Sequence, residues 1–157
     1  MKTIFICIGK TNERYWQDAM NEYLKRLQRY SPFEIIEMPN LRNTHSITEQ
    51  QIKHAEGENL LRLLNAEDFV TLLDDKGRQY TSLQFAEWYQ QRMMAGTKRL
   101  VFVVGGAYGF SRDVYERANG TLSLSRLTFS HQLVRPIFLE QLYRAQTILH
   151  NEPYHHE

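Results

Sequence analysis

LVFVVGGAYGFSRDVYERANGTLSLSRLTF, residues 100–129, is the stretch on which the reading of the whole chain turns. Leu100 to Val104 is a continuous apolar run that stops at Gly105-Gly106. A run that is apolar throughout, rather than alternating, marks a strand covered on both faces, as in a parallel sheet. After Gly109 and Phe110, Ser111 is placed to cap a short helix reaching about Ala118, and Asn119-Gly120 turns the chain into a strand near Thr121 to Leu124. The following residues, Leu124-Ser125-Arg126-Leu127-Thr128-Phe129, are apolar and hydroxyl-rich with no period. Two irregular loops, each following a strand, predict a ligand pocket at the carboxyl ends of those strands.

The same strand-helix alternation covers the rest of the chain. Thr3 to Ile8 is a second continuous apolar run ending at Gly9, and from Glu13 to Tyr30 the residues Trp16, Ala19, Met20, Tyr23, Leu24 and Leu27 recur at helical spacing until Pro32. Phe33 to Met38 reads as a strand and Pro39 to His45 as a polar loop. Ser46-Ile47-Thr48-Glu49 has the form of a capping box, opening a helix to about Leu64. Phe69 to Leu73 is the next strand, followed by a turn over Asp74-Asp75-Lys76-Gly77-Arg78. Thr81 with Gln84 caps a helix that reaches Met94 before Gly96, and a last helix runs from about Leu133 to His150. The expected fold is α/β: a mostly parallel sheet flanked by helices on both faces, in a single domain over residues 1–157. Leu73, Gly105 and Leu124 then stand at or just after three strand ends.

Composition excludes several classes. At 157 residues the chain can bury roughly 70% of its unfolded surface. With 42% hydrophobic and 24% charged residues it is an ordinary globular sequence. A net charge of +1 argues against a surface built wholly for nucleic acid, while leaving room for a local basic patch or one assembled across a dimer. The one cysteine, Cys7, permits no internal disulfide and points to a reducing compartment, the cytoplasm. Met1 to Ile8 is too short for an export signal or a membrane span.

Gly9-Lys10-Thr11 lacks the earlier glycine of a phosphate-binding loop, since Ile4 occupies that place. Gly105-Gly106 with Gly109 lacks dinucleotide spacing; these glycines serve a tight turn, close approach of a flat ligand, or both. Asp74 and Asp75 read as solvated turn residues, with no acidic partner after the first strand to complete a magnesium site. The six histidines form no metal motif, so no metal is expected. His131, Arg135 and Arg144, in or just ahead of the last helix, are either a solvated face or contacts for phosphate or base. The tail, Asn151 to Glu157, is short and polar and would ordinarily be disordered, yet Tyr154 and its imidazoles suit stacking on a base and proton transfer.

Phe102 to Phe110, Leu122 to His131, Gln132-Leu133-Val134-Arg135 with Glu140 to Ala145, and Pro153-Tyr154-His155 together resemble the ribosomal RNA large subunit methyltransferase H family, of the SPOUT class. The resemblance covers the whole chain. It implies a C-terminal trefoil knot, a homodimer, and S-adenosylmethionine-dependent methylation of N(3) of a pseudouridine in 23S rRNA on the assembled ribosome. Carried over by position, it implies cofactor contacts at Leu73, Gly105, Leu124, Ser125, Arg126, Leu127, Thr128 and Phe129, and makes His131, Arg135, Tyr154 and His155 the candidates for handling the substrate proton. Ser130, where the family usually has proline, would loosen the cofactor loop; Pro136, where an aliphatic residue is common, falls in a first helical turn that tolerates it. A nicotinamide-dependent oxidoreductase and a non-enzymatic ribosome-binding domain are the alternatives.

Overall fold

The computed structural model describes residues 1–157. Its strands are β1 (Lys2–Cys7), β2 (Phe33–Glu37), β3 (Phe69–Gln79), β4 (Arg99–Val104) and β5 (Gly120–Ser123). Its helices are α1 (Arg14–Leu27), α2 (Glu49–Leu63), α3 (Ser82–Met94), α4 (Arg112–Arg117) and α5 (Val134–Leu149). The strands form one sheet in the order β2-β1-β4-β3-β5, and every neighbouring pair is parallel.

Both faces of this sheet are covered, which is why its strands are apolar without alternation. Phe5 and Cys7 of β1 and Leu100, Phe102 and Val104 of β4 point into a core shared with Met20 of α1, Phe85 of α3 and Phe138 of α5. The intervening Ile4, Ile6, Val101 and Val103 pack on the other face with Leu60 of α2 and Val114 of α4. The connections through α1 and α3 both step toward β2, and those through α2 and α4 both step toward β5. Opposite steps over opposite faces give all four crossovers the same hand, as strand twist requires. No helix is long and apolar enough to cross a membrane.

Two local expectations are corrected. The capping box of α2 is not Ser46 with Glu49: Ser46 closes a 3-10 turn over Thr44–Ser46, and Thr48 is the cap. Thr48 Oγ1 accepts from Gln51 N at 3.1 Å while Thr48 N donates to Gln51 Oε1 at 2.8 Å. Thr81 and Gln84 make the same exchange at α3, as the sequence predicts. The second correction concerns β3, which does not end at Leu73. Leu73 and Arg78 both pair with Leu122, so Asp74 to Gly77 are looped out of a strand that then resumes pairing with β5. Gly77 makes this possible, because a Cβ there would lie 2.8 Å from Leu122 backbone atoms.

From edge strand β5 the chain must return to the sheet centre to start α5, and Arg135 fastens that return. Its side chain is fully buried. Nε donates to His131 O at 3.0 Å, Nη1 to Gly9 O at 3.0 Å and Thr11 Oγ1 at 2.9 Å, and Nη2 to Ile8 O at 3.1 Å. Glu37, which accepts from Thr11 N, lies 3.6 Å from Nη1. Ser130 adds a second fastening, its Oγ accepting from Leu133 N at 3.0 Å and its carbonyl from Val134 N at 3.1 Å. The hydroxyl bond is one that a proline at this position could not make. Pro136 is the third residue of α5, in the first turn as expected.

The tail is ordered as well. Tyr154 donates to Glu140 Oε1 at 2.9 Å and packs edge-on against Tyr143, with ring centroids 4.8 Å apart. Arg144 Nη1 lies 3.2 Å from His155 Nδ1, and because arginine has only donors, that nitrogen accepts and the proton sits on Nε2.

Gly77→Ala should lower stability by about 1–3 kcal/mol through the clash with backbone that cannot swing aside; a thermal midpoint equal to wild type would refute the close approach. Arg135→Met, which leaves Glu37 and the carbonyls of Ile8 and Gly9 without their cation, should cost about 3–5 kcal/mol in urea unfolding. An unchanged urea midpoint would show that the return of the chain is held elsewhere.

Candidate active site

A cleft of about 250 Å³ opens at the carboxyl ends of β3, β4 and β5, where Leu73, Val104, Leu122 and Leu124 supply its apolar floor. The loop after β4 forms one wall. It doubles back through a Gly106–Gly109 bridge, with Gly109 at φ +82°, a conformation that favours glycine. A Cβ on Gly105 would stand 3.3 Å from the Phe110 ring, so this wall has no room for one without displacement. Ser111 then caps α4, accepting from Val114 N at 3.4 Å.

The opposite wall is the loop after β5, which is tied to the β3 bulge. Ser123 Oγ lies 2.8 Å from Ser125 O and 3.1 Å from Asp75 O, Leu127 N donates to Ser125 Oγ at 3.0 Å, and Thr128 Oγ1 is 3.5 Å from Asp75 Oδ2. A segment without periodicity is thereby held in one shape by its own hydroxyls.

Of the residues marked out by the sequence, Leu73, Gly105, Leu124, Ser125, Leu127, Thr128, Phe129 and His131 all line this cleft. Arg126 is exposed and does not line it. Arg135 sits behind the cleft, buried in the contacts described above; the solvated-face reading of it is overturned, and its reach is to the carbonyls of Ile8 and Gly9, just after β1. Tyr154 and His155 lie beside Glu140 and Arg144 of α5, and no residue of the tail lines the cleft of its own chain.

Several site residues lay outside the sequence reading. Asp74 and Asp75 are not merely solvated turn residues, since both line the cleft. Asp74 accepts from Lys76 N at 2.9 Å and from the Tyr115 hydroxyl. Burial pushes its carboxyl up, but the bonds from Tyr115 and Lys76 outweigh this and hold it below the usual aspartate range. Tyr115 is pushed up by burial and by that same bond, so it stays protonated. The acidic pair at a strand end was a visible signal; the tyrosine, on a helix too short to show a period, gave none. Glu56 of α2 was also missed. It backs the Gly106 wall so closely that a Cβ on Gly106 would lie 2.7 Å from its Oε2, and burial raises its pKa.

His131 is the one imidazole in the cleft. Burial, followed by the charge of Arg135, lowers its pKa below the ordinary 6.5, so it is neutral and able to accept a proton near pH 7. The arrangement therefore combines apolar walls for a flat ligand, an ionised carboxylate at the rim and a neutral base.

Similarity to known proteins runs along nearly the whole chain. The family described as "Predicted SPOUT methyltransferase" matches residues 1–155. A protein of Parabacteroides distasonis named ribosomal RNA large subunit methyltransferase H is 52% identical over 157 residues, covering 100% of both chains. One of the same name from Christiangramia forsetii is 52% identical over 151 residues, 96% of each chain. Among solved structures, a probable methyltransferase from Bordetella pertussis Tohama I shares the fold, with a TM-score of 0.58 at 10% identity over 92% of this chain and 96% of that one. A cleft of this composition at the strand ends, in a chain with full-length relatives of one name, places the protein: it belongs to the ribosomal RNA large subunit methyltransferase H family of SPOUT methyltransferases.

Proposed function

We propose that this methyltransferase uses S-adenosylmethionine to methylate N(3) of a pseudouridine in large-subunit ribosomal RNA on the assembled ribosome, acting in the cytoplasm as a homodimer of single-domain chains. The observation that carries the reading is the cleft itself: apolar walls and a glycine edge at three strand ends, with Asp74 ionised at the rim, in a chain 52% identical throughout to a named rRNA methyltransferase.

The residues present fit the cofactor. Leu73, Leu124 and Phe129 offer apolar surface to an adenine ring, and Gly105 lets its edge approach the backbone. Asp74 and Asp75 complement a cationic ligand. When bound, S-adenosylmethionine supplies an electrophilic methyl group. The chain's own contribution is to exclude water, align the target nitrogen and remove its proton. His131 is the acceptor, being neutral and in the cleft. Tyr154 is not a base: burial and its bond to Glu140 push its hydroxyl up to about 12, so it serves as a donor or stacking surface. Arg135 acts as a positioning residue, through its bond to His131 O.

Tyr154 and His155 serve the site of a second copy. In support, neither lines its own cleft, and the helical stripe of α1 remains half-exposed at Trp16, Ala19, Tyr23 and Leu24, which suits burial against a partner. The trefoil knot belongs to the same proposal. The path of the chain supports it: from β5 it crosses to the loop after β1, where Gln132 accepts from Asn12 N at 2.9 Å and donates to Lys10 O at 3.1 Å.

Labelled methyl groups should pass from S-adenosylmethionine to ribosomes and far less to free rRNA, since one near-neutral protomer makes few phosphate contacts. Transfer to neither would contradict the reading, and calorimetric binding of NAD in place of S-adenosylmethionine would favour an oxidoreductase. Because the base must be unprotonated, the methylation rate should hold from pH 8 down past 6.5, the ordinary histidine value, and fall only below it. His131→Gln should be slow at every pH and lack that acid limb; a variant that keeps the limb assigns it to another group. Mixing Gly105→Val with His155→Ala subunits should restore part of the activity each lacks alone, whereas a tail serving its own chain would leave the mixture inactive.

A further inference from the structure

A second cleft, of about 260 Å³, lies between β3, β5 and the outer side of α3. Phe69, Tyr80, Phe85 and Trp88 form its aromatic lining, and Thr71 of β3 lies at its base. Thr71 is only 3% exposed, yet its hydroxyl has no hydrogen-bond partner. An orphaned hydroxyl of this kind marks a place where something else completes the bond. Two arginines lie over three of the rings. The Arg78 guanidinium sits 4.9 Å from the Tyr80 centroid, and that of Arg92 sits 4.7 Å from Phe69 and 5.9 Å from Trp88. Neither is in an ion pair with a carboxylate, and Arg92 Nε is buried without a partner. Asn119, also in the lining, accepts through Oδ1 from Val70 N at 2.8 Å, which leaves its amide NH2 as a donor.

Guanidinium groups without a carboxylate partner, lying over aromatic rings beside a hydroxyl that can both donate and accept, form the chemistry that holds an unstacked base and its phosphates, since a base stacks on a guanidinium plane as on a ring. A carboxylate-rich peptide would use the arginines and the hydroxyl but not the aromatic rings. Leu122 lines both this cleft and the candidate active site, so the two clefts are neighbours on either side of one buried residue of β5. We propose that this second cleft binds one unpaired base of the substrate RNA, flanking the target nucleotide. The proposal rests on the reading of the protein as an RNA methyltransferase and adds a substrate subsite to it.

The test uses the full chain with ribosomes: ultraviolet crosslinking with mass-spectrometric mapping of the joined peptide and nucleotide, beside steady-state methylation of the same ribosomes. Crosslinks are expected at Tyr80 or Trp88 to rRNA. Tyr80→Leu should raise the KM for ribosomes on the order of tenfold, the usual effect of losing one stacked base, with calorimetric affinity for S-adenosylmethionine unchanged. Arg78→Ala, at an exposed position where folding is not at stake, should shift KM in the same direction, and Thr71→Val should change KM without weakening the cofactor. Crosslinks confined to other surfaces, a crosslink here to a ribosomal protein alone, or KM values equal to wild type in Arg78→Ala and Tyr80→Leu would each overturn the subsite. Failure of the wild-type protein to methylate any RNA, with crosslinks to rRNA at Tyr80 intact, would instead overturn the methylation reading and leave the subsite standing.

Discussion

The Arg135 guanidinium sets the constraint on which the site depends. A parallel sheet ends in free carbonyls at the carboxyl edge of each strand, and here those of Ile8 and Gly9 are buried beneath the returning chain, where unpaired they would cost free energy. One planar cation with several donors in a fixed fork can satisfy both while also holding His131 O. Lysine could not span these partners. Glu37 offsets part of the cost of burying the charge, and Thr11 links the two. The consequence is geometric: the segment from Leu124 to Leu133 is clamped at its far end to the centre of the sheet, so its near end must arch over the ends of β3 and β4. The cleft is the space beneath that arch.

The arch is fixed at its other side by the β3 bulge. Gly77 lets β3 pass close under β5 and resume pairing, and the four residues Asp74 to Gly77 looped out by this step turn two carboxylates toward the cleft. Tyr115 and Lys76 N–H keep Asp74 ionised there, while Arg135 and burial keep His131 neutral on the other wall. One edge of the cleft is thus suited to a cation and the other to accepting a proton, a division of labour set by environment rather than by residue type.

Much of this was legible in the residues. The continuous apolar runs of β1 and β4, the Thr81–Gln84 cap and the glycines after Val104 specify their elements locally, so the α/β class and the strand-end position of the pocket followed from spacing. Resemblance, not spacing, supplied the cofactor and substrate. What escaped was non-local. Resumed pairing at Arg78 depends on β5, more than forty residues on, and nothing in Asp74 to Arg78 distinguishes a bulge from a turn. Arg135 carries a charge at a helix start, where exposure is the ordinary case, and only the carbonyls of Ile8 and Gly9, just after β1, explain its burial. The tail is ordered by Tyr154 on Glu140 and by His155 on Arg144, contacts of tertiary structure that its polar composition does not encode. The α2 cap was misplaced by two residues because Ser46 and Thr48 are both competent caps, and the competing 3-10 turn decided between them.

The central claim, that the arch held by Arg135 encloses the methyl donor, is tested most directly by following backbone amide resonances of the full chain while S-adenosylmethionine is added. Saturable shifts are expected at Leu73, Gly105, Gly106 and Leu124 to Phe129, with the second cleft near Trp88 little affected. Shifts centred on Trp88 and Gly120 instead, or none at a concentration that supports methyl transfer, would contradict it.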